Sequence, residues 1–232
     1  MKKMVKEKKL ALVTRPYIDS KKFEEDLAKI GVESFIEPFL EIQFYQNANK
    51  VIHPYLDSCQ LMVATSANAV RAVGYTKKDI VAVGEKTAQA AKELGFEKVF
   101  SSKGNVESLK KYIEKNFSPR DGGLLYISGD IIANDLKPEG FKLTRVVVYS
   151  SMPVKKISSK CKKYFEDKKF DYVFLFSKRT AEVFAEQAGK YDFKNTTCFC
   201  LSENIKNVIS KQSFKEVIVL ENFDMKNIAN LI

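Results

Sequence analysis

Small polar residues at the ends of short apolar runs are the features of this chain that could do chemistry. Thr65-Ser66-Ala67-Asn68 closes the run that begins at Leu61, and Gly84-Glu85-Lys86-Thr87 follows Ile80 to Val83. Hydroxyl and amide groups placed there either cap a helix or hold an anionic ligand group beside backbone N–H donors, and Gly84 lets a ligand approach the backbone closely. Capping explains Ser66, Asn68 or Thr87 taken singly, while the pair of segments favours binding. The missing residues narrow the chemistry further. With one histidine, His53, and with Cys59, Cys161, Cys198 and Cys200 outside any CxxC spacing, no zinc set can be assembled, and the cysteines read as buried small hydrophobes. No Ser-His-Asp or Cys-His arrangement, paired carboxylates, GxGxxG or GxxxxGK[ST] motif occurs. The expected site is therefore cofactor-free and metal-free, and it mainly positions a reactive substrate.

Such a site needs strands and helices to hold it. Apolar runs of four to six residues, each followed by a polar turn and a stretch of helical period, recur along the chain and give an α/β signature. Strand Leu10–Val13 leads to a helix from about Ser20, with Phe23, Leu27 and Ile30 on one face and Gly31 as its stop, then to strand Val32–Ile36. Strand Leu61–Thr65 leads to a helix from about Ser66. Strand Ile80–Val83 leads to a helix from about Glu85, and strand Lys98–Phe100 to helix Val106–Phe117.

The order then repeats. GGLLYISGD, ending at Asp130, parallels LALVTRP near the start, and Gly140 with Leu143–Tyr149 parallels Gly31 with Val32–Ile42. Tyr172–Phe184 parallels Leu61–Val73, setting Ser177 opposite Ser66 at an offset of 111, and Cys198–Ile209 parallels Ile80–Ala91 at an offset of 118. This predicts two similar α/β domains with mostly parallel sheets flanked by helices, joined by a two-stranded linker. Residues 1–38 with 153–232 would form the first domain and 46–146 the second, with 39–45 and 147–152 as linker strands. Ligands gather at the carboxyl ends of parallel strands, so the site is expected in the cleft between the lobes.

The length of 232 residues suits two cores of about 100 residues each. With 45% hydrophobic and 29% charged residues the chain is expected to fold throughout. Of the net charge of +10, Met1–Lys9 contributes five lysines against one glutamate, and Lys155–Lys169 seven lysines against two acids. Two solvated lysine-rich surfaces are favoured over a nucleic-acid groove, since no helix-turn-helix, zinc finger or RNP motif accompanies them. The run Leu10–Val13 is too short for a signal-peptide core or a membrane span, so a soluble, cytoplasmic protein is expected.

The ordered motifs TRP (Thr14–Pro16), Pro38, TSANAV (Thr65–Val70), VAVGEKTAQAAKELG (Val81–Gly95), LLYISGD (Leu124–Asp130), the Gly140–Tyr149 run ending VVVY, and FLFSKRTAEVF (Phe174–Phe184) together resemble the uroporphyrinogen-III synthase family. The resemblance implies two α/β domains on a two-stranded linker and no cofactor. It also implies that hydroxymethylbilane, a linear tetrapyrrole polycarboxylate, is closed to uroporphyrinogen III. Tyr149 matches the family's cleft tyrosine, which would assist the departing hydroxyl. Thr65, Ser66, Asn68, Gly84 and Thr87, with Ser177 and Asn204, would hold carboxylates. A monomer is implied, and transient contact with the upstream deaminase stays open. One segment departs from the family pattern: Ser202-Glu203-Asn204-Ile205-Lys206 replaces a glycine-led turn and adds a negative charge, so carboxylate binding should be weakest there. A two-lobed, non-catalytic binding protein for a small anionic ligand is the competing expectation.

Overall fold

Strands and helices alternate from one end of the chain to the other. The structure is a computed structural model that describes residues 8–102, 104–132, 134–220 and 225–232. Lys2, Lys3 and Lys6 of the amino-terminal basic segment lie outside the described residues. In chain order come β1 (Lys9–Val13), α1 (Tyr17–Lys29), β2 (Val32–Ile36), β3 (Leu40–Phe44), α2 (Ala48–Leu56), β4 (Cys59–Ala64), α3 (Ala67–Val73), β5 (Ile80–Val83) and α4 (Gly84–Glu93). β6 (Val99–Ser102), α5 (Val106–Asn116), β7 (Gly123–Gly129) and β8 (Leu143–Pro153) follow. The chain ends with α6 (Ser159–Glu166), β9 (Tyr172–Leu175), α7 (Lys178–Ala188), β10 (Thr197–Cys200), α8 (Glu203–Val208), β11 (Glu216–Val219) and α9 (Met225–Leu231).

Two compact units result, one from the chain's two ends, up to Glu41 and from Met152, and one from Ile42–Ser151. The sheet of the first unit has the order β11-β10-β9-β1-β2, parallel throughout. The second sheet has the order β3-β8-β7-β4-β5-β6, and β8 through β6 are parallel. The repeat seen in the sequence returns as topology: β2-β1-β9-β10-β11 and β8-β7-β4-β5-β6 are the same ordering of corresponding strands. β3 is the addition. Tyr45 N–H donates to Val148 O at 3.0 Å and Val154 N–H to Phe39 O at 3.1 Å, so β3 runs antiparallel along the edge of β8. The segment expected as a second linker thus begins inside the sheet, since β8 pairs with β7 from Leu143 to Tyr149.

Each sheet is covered on both faces, which explains the continuous apolar runs. In β1, Leu12 enters one core layer while Ala11 and Val13 enter the other. Phe174 of β9 stacks on Phe199 of β10, centroids 4.9 Å apart, and receives the edge of Phe23 from α1 at 4.9 Å. In the second unit Met62 and Ala64 face one layer and Leu61 and Val63 the other.

The helix expected from Ser20 begins earlier, at Tyr17, because Pro16 at φ −52° leads the chain into it and Ser20 Oγ donates to the carbonyls of Arg15 and Pro16. α2 and α6 had no counterpart among the expected elements. α6 lies within the lysine-rich segment: Cys161 and Phe165 turn inward, while Lys160 and Lys163 stay exposed. No helix among the described residues is long and apolar enough to cross a membrane.

All four cysteines are free and buried. Burial pushes the thiols of Cys198, Cys161, Cys59 and Cys200 above their ordinary range, so little reactive thiolate forms near neutrality. A disulfide thiol reagent should label almost none of the four cysteines within minutes in the native protein and all four after unfolding in guanidinium. Rapid native labelling of Cys198 would contradict this packing.

Candidate functional site

β7 and β8 pair in step from Leu124 opposite Leu143 to Ser128 opposite Val147, then slip so that Gly129 faces Tyr149. Val148 is the extra residue of this bulge. A bulge breaks strand alternation and re-aims the side chain after it. Val146, Val148 and Tyr149 consequently all enter the same core layer. The Tyr149 ring lies over Gly129, where an added Cβ would come within 2.6 Å of Cζ and 2.8 Å of the hydroxyl. Only glycine leaves room for the ring.

From this position the Tyr149 hydroxyl donates to Ser66 Oγ at 3.0 Å. Ser66 is the N-cap of α3 and also accepts from Asn68 N–H at 3.2 Å. A hydroxyl has two lone pairs and one proton, so with both lone pairs engaged Ser66 has its O–H left to give. Thr65 Oγ1 shares a 2.9 Å hydrogen bond with the hydroxyl of Tyr126, a fully buried residue of β7. Asn68, also buried, accepts from Arg71 at 2.9 Å.

The second polar segment stands beside the first. β4 and β5 pair up to Ala64 opposite Ala82, so Ser66 and Gly84 lie two residues beyond the paired ends of neighbouring strands. Gly84 has φ +71° and opens α4, with empty space where a side chain would be. Such a φ favours glycine, and the absent side chain leaves the first turn of the helix approachable. Thr87 is buried in that turn. The structure therefore brings Thr65, Ser66, Asn68, Gly84, Thr87 and Tyr149 to one sheet edge of the second unit.

Ser177 and Asn204 belong to the first unit. Ser177 caps α7, accepting from Thr180 N–H at 3.1 Å and sharing a 2.8 Å hydrogen bond with Thr180 Oγ1. Asn204 does not cap α8. That role falls to Ser202, which accepts from Ile205 N–H at 3.4 Å, and Asn204 is exposed one residue inside the helix. The turn after Leu201 places the first hydroxyl, not the later amide, at the capping geometry. The negative charge of Glu203 is met by Lys206 at 3.7 Å.

Three supporting residues escaped sequence reasoning. Gly129 makes space for Tyr149. Arg145 donates to Ser128 Oγ at 2.8 Å and to the carbonyls of Gly129 and Asp130 at 2.8 and 3.0 Å, pinning the bulge. Asp130 accepts from Ser151 N–H at 3.1 Å, and its own N–H donates to Tyr149 O at 3.0 Å. The SGD triplet was the available signal, since a small, polar, turn-forming end is unusual for so apolar a strand. Gly129→Ala should cost about 1–3 kcal/mol of stability by forcing the Tyr149 ring away. In a Tyr149→Ala background most of that cost should vanish. Urea unfolding of the four proteins measures it, and an unchanged midpoint for Gly129→Ala would contradict the contact.

Comparison with known proteins identifies the family and the fold. Residues 21–230 match the family described as uroporphyrinogen-III synthase HemD. A porphyrin biosynthesis protein HemD from Ruminiclostridium josui is 25% identical, with the match covering 89% of this chain and 45% of that protein. The chain thus spans less than half the length of that curated relative. A crystal structure of a mutant uroporphyrinogen III synthase from Thermus thermophilus superposes with a TM-score of 0.54 at 14% identity, covering 96% of this chain and 97% of that one, and so shares the fold. The wild-type enzyme from the same organism, in another crystal form, gives a TM-score of 0.43 at 15% identity over 95% and 97% of the two chains. With its fold and the Ser66–Tyr149 site in view, the match across nearly its whole length places this chain in the uroporphyrinogen-III synthase family.

Proposed function

We propose that this chain closes hydroxymethylbilane to uroporphyrinogen III, with loss of water and inversion of the last ring. The observation that carries the reading is the Tyr149 hydroxyl held at 3.0 Å from Ser66 Oγ, in a chain matching the family over residues 21–230. The reaction begins by breaking the bond between the terminal methylene carbon and its hydroxyl oxygen. The oxygen needs a proton as it leaves as water, and the Tyr149–Ser66 pair stands as the donor for it. The azafulvene left behind is an electrophile. Attack by the substituted carbon of ring D gives a spiro intermediate, which rearranges so that ring D is inverted, and loss of a proton restores the pyrrole.

The same reactive substrate closes spontaneously to the uninverted isomer, so the protein's contribution is chiefly conformational. Holding the carboxylates fixes which carbon of ring D meets the electrophile, and that preference accelerates one route over the other. Ser66, Thr87 and the N–H groups opening α4 are the carboxylate donors of the second unit. Ser177 is the equivalent donor of the first. The exposed Asn204 is a weaker candidate, because it lies inside α8 and Ser202 holds the capping position. A lyase of this kind, acting as a cytoplasmic monomer, completes the reading.

The purified chain, coupled to enzymatic generation of hydroxymethylbilane, should give mostly the III isomer after oxidation and chromatography of the porphyrins. An isomer I product equal to the protein-free control, from folded protein, would overturn the reading. Ligand-induced stabilisation without turnover would then favour the binding protein.

A further inference from the structure

Two arginines of the first unit have no role in the reading above. Arg15 follows β1, and Arg179 stands in the first turn of α7, directly after β9. β1 and β9 are hydrogen-bonded neighbours running parallel, with Val13 opposite Phe174. Both residues therefore lie at the same sheet edge as Ser177.

Neither is treated as a structural arginine of this protein is treated. Arg145 donates three hydrogen bonds to internal oxygens, and Arg71 donates to Asn68. The Arg15 guanidinium instead lies over the Phe176 ring, 4.1 Å from its centroid, half-buried and with no hydrogen bond or ion pair to any described residue. Burial lowers its pKa, with Asp19 acting in the opposite direction. The Nε of Arg179 is sealed from solvent and has no hydrogen-bond partner among the described residues. Taking water from a cation without supplying an acceptor costs folding free energy. Two such residues on adjoining strand ends are donor sets lacking their acceptor. The planar fork of a guanidinium matches the two oxygens of a carboxylate.

We infer that Arg15 and Arg179 form a carboxylate-binding position within the first unit, which takes a carboxylate arm of the polycarboxylate substrate. This rests on the proposed ring-closing function for the identity of the ligand, and on the geometry alone for its charge and shape. It also supplies a cationic contact in this unit for a polyanion, whereas Lys206 of the Ser202–Lys206 segment is met by Glu203 at 3.7 Å. Arg15 and Arg179 select and orient substrate, and they take no part in the proton transfer assigned to Tyr149.

Binding of a stable, oxidised octacarboxylate porphyrin, followed by its absorbance, tests this without requiring turnover. Arg15→Gln and Arg179→Gln should each weaken binding about 10-fold, the loss expected for a charge-assisted contact. Lys98→Gln, an exposed charge in the other unit, controls for net charge and should change it less than about 3-fold. The melting temperature of each arginine variant should stay the same or rise by up to about 4 °C, because a desolvated cation without an acceptor has been removed. In the isomer assay the same variants should raise KM with kcat largely retained. Unchanged porphyrin affinity in both variants, or a lowered melting temperature in both, would overturn the assignment. Arg-dependent binding in a protein that makes no III isomer would remove the ring-closing reading and keep the carboxylate position. III isomer made with unaltered KM by both variants would do the reverse.

Discussion

A parallel sheet delivers the carboxyl end of every strand to one edge, and this constraint organises the whole protein. Because each strand must be followed by a crossover before its neighbour can pair, each edge collects strand ends and helix starts together. Ser66, Gly84, Ser177 and Ser202 all occupy that junction, and the three serines cap the helices that follow them. Capping and ligand binding draw on the same donors and acceptors there, so one architecture stabilises the fold and presents polar groups to a ligand. The tyrosine needed a further device. Strict alternation along β8 would turn Tyr149 away from the layer shared by Val146 and Val148, and the one-residue slip at Gly129 turns it back. Arg145 then ties the slipped segment down through two carbonyls and a serine hydroxyl.

The chemistry that follows is modest in its demands on the protein. The substrate proposed above is already reactive, and the residues at the strand ends are hydroxyls, amides and N–H groups. These are suited to holding carboxylates and poor at strong acid–base work. In the proposed ring closure, rate and product would be decided by which conformation of the substrate is held, and a polyanion is held best by donors fixed before it arrives. Caps, a bulge and the stacked Arg15 are fixed in that sense. Their rigidity comes from buried sheets such as the Phe23–Phe174–Phe199 stack, which leaves the strand ends little freedom to move.

Much of this was legible in the residues because local pattern and global fold agree. Apolar runs bounded by Gly31 and by Gly84 marked β2 and β5 at their observed limits, and the repeat of the pattern anticipated two sheets of corresponding strand order. Illegible features were those set by partners distant in sequence or by conflicting local signals. α2 carries Pro54 and starts from Asn47 at φ 61°, both of which read as turn. α6 was hidden by its lysines, which mask the inward Cys161 and Phe165. The slip at Val148 depends on pairing with a strand some twenty residues earlier, and nothing in VVVY announces it. Asn204 was assigned to carboxylate binding by residue type, but the backbone reaches capping geometry at Ser202 and leaves Asn204 exposed inside the helix.

The central claim is that the Tyr149 phenol, held by Ser66 and seated on Gly129, acts on the departing hydroxyl. Single-turnover formation of the III isomer by Tyr149→Phe, with folding verified by circular dichroism, tests it most directly. The account predicts a fall on the order of 10- to 100-fold with substrate binding preserved. A rate equal to that of the unaltered protein would contradict it.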